Sequence, residues 1–323
     1  MGAAEQREQR IGVGFGIAAY GIWGLFPLYW PLLEPAQAGE ILAHRMAWSL
    51  LGVLLLLAFR RVPPGAASRW AWVPALLREP RRIALLAGAA CAISVNWFTY
   101  IWSVNHGHVL DASLGYFINP LITVLLGVVI LREKLRRLQW IAVGIGILAV
   151  LVFAVGYGQV PWIALVLACS FGTYGLLKKL AAVPAAESMA VESSLLFLPA
   201  VGYLIWLGTQ GTLAFGHHSA GNTALLALSG PVTVVPLIFF AAAANRLPLS
   251  LVGLLQFLTP VLQLCCGVFI QHESAPAARW AGFAIVWIAL GVLTYDALRN
   301  ARAARPEPSA GPAGQPAVAG GLR

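Results

Sequence analysis

The sequence predicts an all-α integral membrane protein with ten transmembrane helices, arranged as two inverted five-helix repeats. Three observations predict it: scarce charge, ten long apolar runs at near-regular spacing, and an internal repeat. Of the 323 residues, 59% are hydrophobic and only 10% are charged, whereas soluble domains carry about 25% charged residues. We therefore expect lipid, rather than water, to cover much of the surface.

The apolar runs define the helices in order. Each run has roughly 18–24 residues, enough to cross a hydrocarbon core of about 30 Å at 1.5 Å per residue. In lipid such a run must be helical, because its backbone N–H and C=O groups find no partners outside the segment. The predicted spans are 11–32, 40–59, 83–104, 110–131, 138–156, 161–178, 188–208, 222–244, 249–270 and 277–297.

The first span also has features of a signal peptide. Arg7 and Arg10 precede it, and the stretch Ala36-Gln37-Ala38 imitates a cleavage site. Its apolar run is longer than the usual h-region of about 7–15 residues, so we predict an uncleaved helix.

The basic residues predict the orientation. If the N-terminus is cytoplasmic, all but two of the 21 Lys and Arg residues lie in inside segments, as the positive-inside rule requires. The exceptions are Arg45, within the second span, and Arg279, on the outer side. We predict a multi-pass protein of the inner (cytoplasmic) membrane with both termini cytoplasmic and a disordered tail at 299–323. Basic residues confined to short loops exclude nucleic acid as a partner.

The repeat appears when the sequence is offset by 140 residues. Pro120 then aligns with Pro260, Glu133 with Glu273, and Trp140 with Trp280. We predict five-helix repeats at 1–156 and 157–298. Five is odd, so the second copy is inverted, and inverted repeats are typical of secondary transporters with a midplane solute site. Duplication in any other membrane protein would leave the same pattern.

Matched polar faces lie on the fourth and ninth spans. Their residues are Tyr116, Asn119 and Thr123 in the fourth span and Gln256, Thr259 and Gln263 in the ninth. Pro120 and Pro260 lie within these faces, and each predicts a kink because proline removes a helical hydrogen bond. The faces fit a cavity wall, and they fit equally well hydrogen bonding that locks the bundle.

Aromatic and polar residues share faces elsewhere too. The third span carries Asn96 and Tyr100, and Tyr174 is the sixth-span counterpart of Trp23. The first span carries Tyr20, Trp23 and the kink candidate Pro27. An aromatic cavity favours flat or apolar solutes, or cations. The alternative is that these rings pack or anchor at the membrane interface.

Charged residues within or near the spans have two interpretations each. Arg45, flanked by His44, is predicted to pair with Asp111 rather than to extend alone to the head groups. Glu192 either couples transport to protons or, as we favour, pairs with Lys178 or Lys179.

Enzyme and metal signatures are weak. His106, His108 and Asp111 lie in or beside a short outer loop, and we predict no metal and no cofactor. His272-Glu273 lacks the second His of a zinc-protease motif, and the sequence has no nucleophile elbow or phosphate-binding loop. We therefore predict that the protein is not an enzyme.

Several strings resemble one family. They are Glu40-Ile41-Leu42-Ala43-His44-Arg45, Asn96-Trp97, Gly115-Tyr116-Phe117-Ile118-Asn119-Pro120, Gln139-Trp140 and Tyr174-Gly175-Leu176. With these, the sequence resembles the RarD family, a branch of the EamA-type drug/metabolite transporters. The resemblance implies ten helices in inverted EamA repeats and export of a small organic solute, with a drug among the possible substrates. Asp111 is a departure, because the family pattern leads us to expect Glu there.

The sequence thus predicts a permease that exports a small organic solute (a metabolite, amino acid or drug) by alternating access through a midplane cavity. Its other partners are the lipid bilayer and, for coupling, a proton or another ion. The runner-up function is a non-transporting membrane subunit or scaffold.

Overall fold

The computed structural model describes residues 3–59, 68, 70–132, 134–158, 160–247 and 249–303. Within these ranges the regular structure is entirely helical. The first half of the chain contributes α1 (Ala3–Gly24), α2 (Phe26–Tyr29), a 3₁₀ turn (Trp30–Leu33), α3 (Ala38–Phe59), α4 (Trp72–Leu77), α5 (Pro80–Asn105), α6 (Val109–Leu131) and α7 (Arg137–Tyr157). The second half contributes α8 (Trp162–Ala181), α9 (Ala185–Thr209), α10 (Ala220–Ala244), α11 (Leu249–Leu255), α12 (Leu258–Cys265), a π-helix (Cys266–Ile270) and α13 (Ala277–Ala303).

The helices have the lengths that a bilayer requires. In the described part of the chain, nine helices are long and apolar enough to cross a membrane. A tenth span is obtained if Gln6–Gly24 and Phe26–Leu33, which meet at a bend of 44°, form one broken span. The chain is therefore a multi-pass membrane protein, and its spans agree in order with the predicted runs.

The three predicted proline kinks differ in outcome. α1 ends at Gly24, and Pro27 lies in the first turn of α2, where a missing N–H costs little. The ninth span is interrupted between Leu255 and Leu258, just where Pro260 leaves the carbonyl of Gln256 without its helical donor. α6, in contrast, continues unbroken through Pro120.

Helix packing follows a regular pairing. α5 packs on α8 and α1 packs on α10, while α6 packs on α8 and α1 packs on α12. α7 packs on α13, and α3 packs on both α9 and α10. Gly115 lets α6 approach α8 closely, since a Cβ there would lie 2.9 Å from the carbonyl oxygen of Ala164. This close packing brings Tyr116, the next residue of α6, near the sixth span.

Two chain segments differ from the prediction. The short helix α4 lies in the predicted loop between the second and third spans. α13 continues to Ala303, so the predicted tail at 299–323 begins as helix. Residues 304–323 lie outside the described residues, as do Arg60, Arg61, Arg69 and Glu133.

Candidate functional site

Six polar side chains converge from five spans near the middle of the bundle, and we call them the central cluster. They are Arg45 of α3, Asn96 and Tyr100 of α5, Tyr116 of α6, Thr233 of α10 and Gln263 of α12. All are buried except Tyr116, which is half-buried. Polar groups are costly inside a membrane protein unless they have partners or serve a function.

Hydrogen bonds join the third, fourth and ninth spans within the central cluster. The Tyr116 hydroxyl donates to Asn96 Oδ1 at 3.2 Å, and Gln263 Nε2 donates to the Tyr100 hydroxyl at 3.0 Å. The rings of Tyr100 and Tyr116 meet edge to face, with centroids 5.5 Å apart. Asn96 Nδ2 also donates to the carbonyl of Leu167 in the sixth span, at 2.9 Å.

Arg45 is the charged member of the central cluster, and only 3% of it is exposed. Its Nε donates to the Thr233 hydroxyl at 2.8 Å. Its guanidinium carbon lies 3.7 Å from the centroid of the Trp97 ring and 5.2 Å from that of Trp30. These contacts are cation–π in kind.

The predicted ion pair between Arg45 and Asp111 is wrong. Asp111 Oδ1 instead lies 3.3 Å from Nη2 of Arg279, which is also buried. The reason is depth: Asp111 is in the first turn of α6, whereas Arg45 is seven residues, or about 10 Å, into α3. Arg279 is the third residue of α13 and lies beside Asp111, so it takes the pairing that was predicted for Arg45.

Asp111, Glu273, Arg279 and His108 form a second group, the outer charge cluster, on the face predicted to be external. Arg279 Nη1 lies 3.9 Å from Glu273, and His108 lies 3.3 Å from Asp111. Glu273 accepts from the backbone N–H groups of Val109 at 2.5 Å and Leu110 at 2.9 Å. A carboxylate is favoured at the N-terminus of α6 by the helix dipole. Burial nevertheless raises the pKa of Glu273 above its usual range.

His44 lies in a different contact from Arg45. Its Nε2 is 3.9 Å from Glu40, and its ring centroid is 4.5 Å from that of Phe215. Glu40 also accepts from the backbone N–H of Ala214 at 2.9 Å and from that of Phe215 at 3.0 Å. Both residues therefore tie α3 to the 210–219 loop.

Glu192 pairs with Lys178, as favoured from the sequence. Lys178 Nζ lies 2.8 Å from Glu192 Oε1. The hydroxyls of Ser188 and Tyr174 donate to the same carboxylate at 2.6 and 3.3 Å. Tyr174 therefore belongs to this pair between α8 and α9 and not to the central cluster.

The first span meets the ninth through its backbone. Thr259 donates to the carbonyl of Tyr20 at 2.9 Å, and Gln263 lies 3.5 Å from that of Trp23. The Tyr20 and Trp23 rings are in edge contact at 5.5 Å. The backbone carbonyls of two of the kink prolines also accept hydrogen bonds. Gln271 donates to the carbonyl of Pro27 at 3.2 Å, and Ser113 donates to the carbonyl of Pro260 at 3.1 Å.

The inner halves of the two predicted polar faces do not reach the central cluster. Thr123 and Gln256 are exposed, and Thr123 donates to the carbonyl of Asn119 within its own helix. Asn119 Oδ1 is buried and has no hydrogen-bond partner among the described residues. The outer halves of the matched faces therefore make hydrogen bonds to other spans, whereas the described side chains of the inner halves make none to another span.

Sequence reasoning did not identify several residues of these groups. No sequence feature marks Thr233, because its contact with Arg45 depends on how α10 packs on α3. Arg279 could have been noticed, since it is the single basic residue in the predicted outer segments. Glu273 could have been noticed too, because it aligns with Glu133 in the repeat.

An apolar cleft of about 530 Å³ lies between α6, α12 and α13. Phe117, Val261, Trp287 and Tyr295 are among its lining residues. It is separate from the central cluster. Groups of three or more His, Cys, Asp or Glu side chains that would hold a metal are absent from the described residues.

Comparison with known proteins agrees with this architecture. The model of the EamA-like transporter family matches residues 10–155. Protein RarD of Streptomyces exfoliatus is 55% identical over 97% of this chain and 99% of its own length. The chain belongs to the RarD family of EamA-type transporters. The uncharacterized transporter YojE of Bacillus subtilis is 41% identical over 93% of this chain and 99% of its own length.

A solved structure supports the fold alone. A crystal structure of another protein is similar over 90% of this chain and 98% of that one, with a TM-score of 0.53 and 18% identity. Family and fold together make this chain a membrane transporter of the drug/metabolite type.

Proposed function

We propose that the protein is a secondary transporter that exports a small organic solute across the inner membrane by alternating access. The observation that carries the proposal is the central cluster: a buried arginine and hydrogen-bonded polar groups where spans from both predicted repeats converge. Intramembrane ionisable groups without a structural partner typically mark solute pathways.

The helix pairing supports two inverted repeats. Under the predicted repeat, the contact of α5 with α8 is the counterpart of the contact of α10 with α1. The contact of α6 with α8 is likewise the counterpart of that of α12 with α1. Such a pairing suits rocking of one half against the other around a fixed site.

Different charged contacts join the helices on the two predicted faces of the membrane. On the predicted outer face the outer charge cluster joins α6 to the loop before α13, while on the predicted cytoplasmic face Arg136 pairs with Asp296 of α13. We propose that these contacts break in turn as the site opens to one side and then the other.

Two experiments test the proposal. In proteoliposomes, the purified chain should accumulate at least one labelled solute from a panel of amino acids, organic acids, amphiphiles and drugs by counterflow, with and without an imposed pH gradient. Protein-free liposomes are the control. Absence of counterflow for the whole panel by folded protein would favour a scaffold role instead.

Cysteine labelling tests alternating access. In a background with Cys91, Cys169, Cys265 and Cys266 replaced by Ala, Asn119→Cys should react with a membrane-impermeant maleimide from both sides, and an exposed terminal-helix position such as Gln6→Cys from one side only. Labelling of the Asn119→Cys variant from one side under all conditions would contradict alternating access.

A further inference from the structure

Arg45 has no acidic partner among the described residues. Its Nε donates to Thr233, but its Nη1 is buried and has no hydrogen-bond partner in the described part of the chain. The acidic residues of neighbouring segments are engaged elsewhere: Glu40 by backbone N–H groups, Asp111 by Arg279, and Glu192 by Lys178. A positive charge in this position is therefore uncompensated, which is costly in a low-dielectric interior.

A second donor beside Arg45 is also unused. The indole of Trp30 is fully buried, and its Nε1 has no hydrogen-bond partner among the described residues. Its ring centroid lies 5.2 Å from the guanidinium carbon of Arg45. Indole N–H and guanidinium N–H groups are donors only, so this pair of side chains matches a ligand that supplies acceptors.

The surroundings of these donors are aromatic. The Trp97 face lies 3.7 Å from the guanidinium carbon, and the Phe26 ring centroid lies 5.5 Å from it. Tyr100 and Tyr116 complete the aromatic set on the third and fourth spans. This arrangement suits an apolar or flat body attached to the group that meets Arg45.

We propose that the solute is a small monocarboxylate with an apolar body, whose carboxylate accepts hydrogen bonds from Arg45 and Trp30. The inference rests on the proposed function and names the substrate class of its site. Among the described residues around this site, Arg45 is the one cation without a carboxylate partner, and one cation accounts for one carboxylate. An amino acid is a poorer match, because its ammonium group would find no free carboxylate among the neighbouring residues just described.

Matched carboxylate and amide pairs test this binding. The full chain, purified in lipid nanodiscs, is titrated with hexanoate and hexanamide, 3-phenylpropionate and 3-phenylpropanamide, and indole-3-acetate and indole-3-acetamide. Thermal unfolding reports binding, because a ligand of the folded state raises the midpoint. At least one carboxylate should bind about tenfold more tightly than its amide, as expected for hydrogen bonds to a charged group.

Arg45→Met supplies the decisive variant. It should weaken binding of the preferred carboxylate by about tenfold or more while leaving binding of the amide unchanged. Arg246→Met, which removes an exposed arginine paired with Glu8, is the control and should bind as the unmodified chain does. Equal binding of carboxylate and amide in every pair, or carboxylate binding that survives Arg45→Met, would overturn the proposal.

Two further arms identify the source and class of the carboxylate. Stabilisation by oleate and by none of the three short carboxylates would assign the site to lipid and overturn the proposal. Phenylalanine binding as tightly as 3-phenylpropionate would overturn the preference for carboxylates without an ammonium group.

Counterflow separates this inference from the transport function. Carboxylate-selective binding without flux would refute transport and leave the binding site standing. Flux of neutral or cationic solutes that is unaffected by Arg45→Met would uphold transport and refute the carboxylate site.

Discussion

Arg45 and Arg279 are both buried, with 3% and 6% of their surfaces exposed, yet their surroundings differ. Arg279 lies between the carboxylates of Asp111 and Glu273 and donates to the carbonyl of Ser274 at 3.1 Å. Arg45 donates to the hydroxyl of Thr233, and its guanidinium lies against the face of Trp97. The pairing of Arg279 fits a structural role, whereas the uncompensated charge of Arg45 fits a role that a ligand completes.

The largest effect is expected at the paired arginine. Arg279→Met should destabilise the fold by about 3 kcal/mol, because it leaves the half-buried carboxylates of Asp111 and Glu273 without their cation. The free energy of unfolding in detergent, measured by denaturant titration, checks this. Adding Asp111→Asn to Arg279→Met should recover part of the loss, whereas additive losses would show that Asp111 and Arg279 are not coupled.

Thr233→Val probes the one side-chain acceptor that Arg45 has among the described residues. The change should cost about 2 kcal/mol, because Arg45 Nε then has no partner. In the Arg45→Met background the same change should cost much less, since only the bond from Thr233 to the carbonyl of Ser229 is lost. A double-mutant cycle measures this difference, and a coupling energy near zero would rule out the Arg45–Thr233 contact.

Arg45→Met alone should change stability in the opposite direction to Arg279→Met. Replacing an uncompensated buried charge by an apolar side chain of similar length should stabilise the solute-free protein by about 1 kcal/mol. The midpoint of thermal unfolding in nanodiscs checks the sign. A loss of stability as large as that of Arg279→Met would place the two arginines in the same structural class.

The smallest effect concerns pH at the outer charge cluster. Because the pKa of Glu273 is raised in the fold by burial, the folded chain binds this proton before the unfolded chain does as pH falls. Stability from this group is therefore present at low pH and is lost as pH rises through the raised pKa. Glu273→Gln should remove this component, which we expect to be below about 1 kcal/mol.

The control for that measurement accounts for the other ionisable groups of the outer charge cluster. Asp111 pairs with Arg279, and His108 lies 3.3 Å from Asp111, so the unmodified chain and Glu273→Gln must be compared over the same series between about pH 4 and pH 7. Identical pH profiles would mean that burial does not perturb Glu273.

Much of the fold could be predicted because lipid makes hydropathy decisive. The fourth span, predicted at 110–131, is Val109–Leu131 in the structure. The interruption of the ninth span at Gln256 and Phe257 agrees with the kink predicted from Pro260. The bend of the first span lies after Gly24, a few residues before the kink predicted at Pro27, because a proline in a first turn does not show where the preceding helix ends.

The site was less predictable, because its pairings depend on depth and packing. Tyr100, Tyr116 and Gln263 were identified from polar faces within single helices, a local signal. The partners of Arg45 and Asp111 required knowing that α3 packs on α10 and that Arg279 lies level with Asp111. Distances along the sequence do not encode either fact.

The difference between the two arginines is tested most directly by the unfolding midpoints of the unmodified chain and Arg45→Met, measured across a titration with the preferred short carboxylate. Without solute, Arg45→Met should be the more stable protein. With saturating solute, the unmodified chain should become the more stable one, because only it gains binding free energy through Arg45. An order that stays the same at every concentration would contradict a solute-binding role for Arg45.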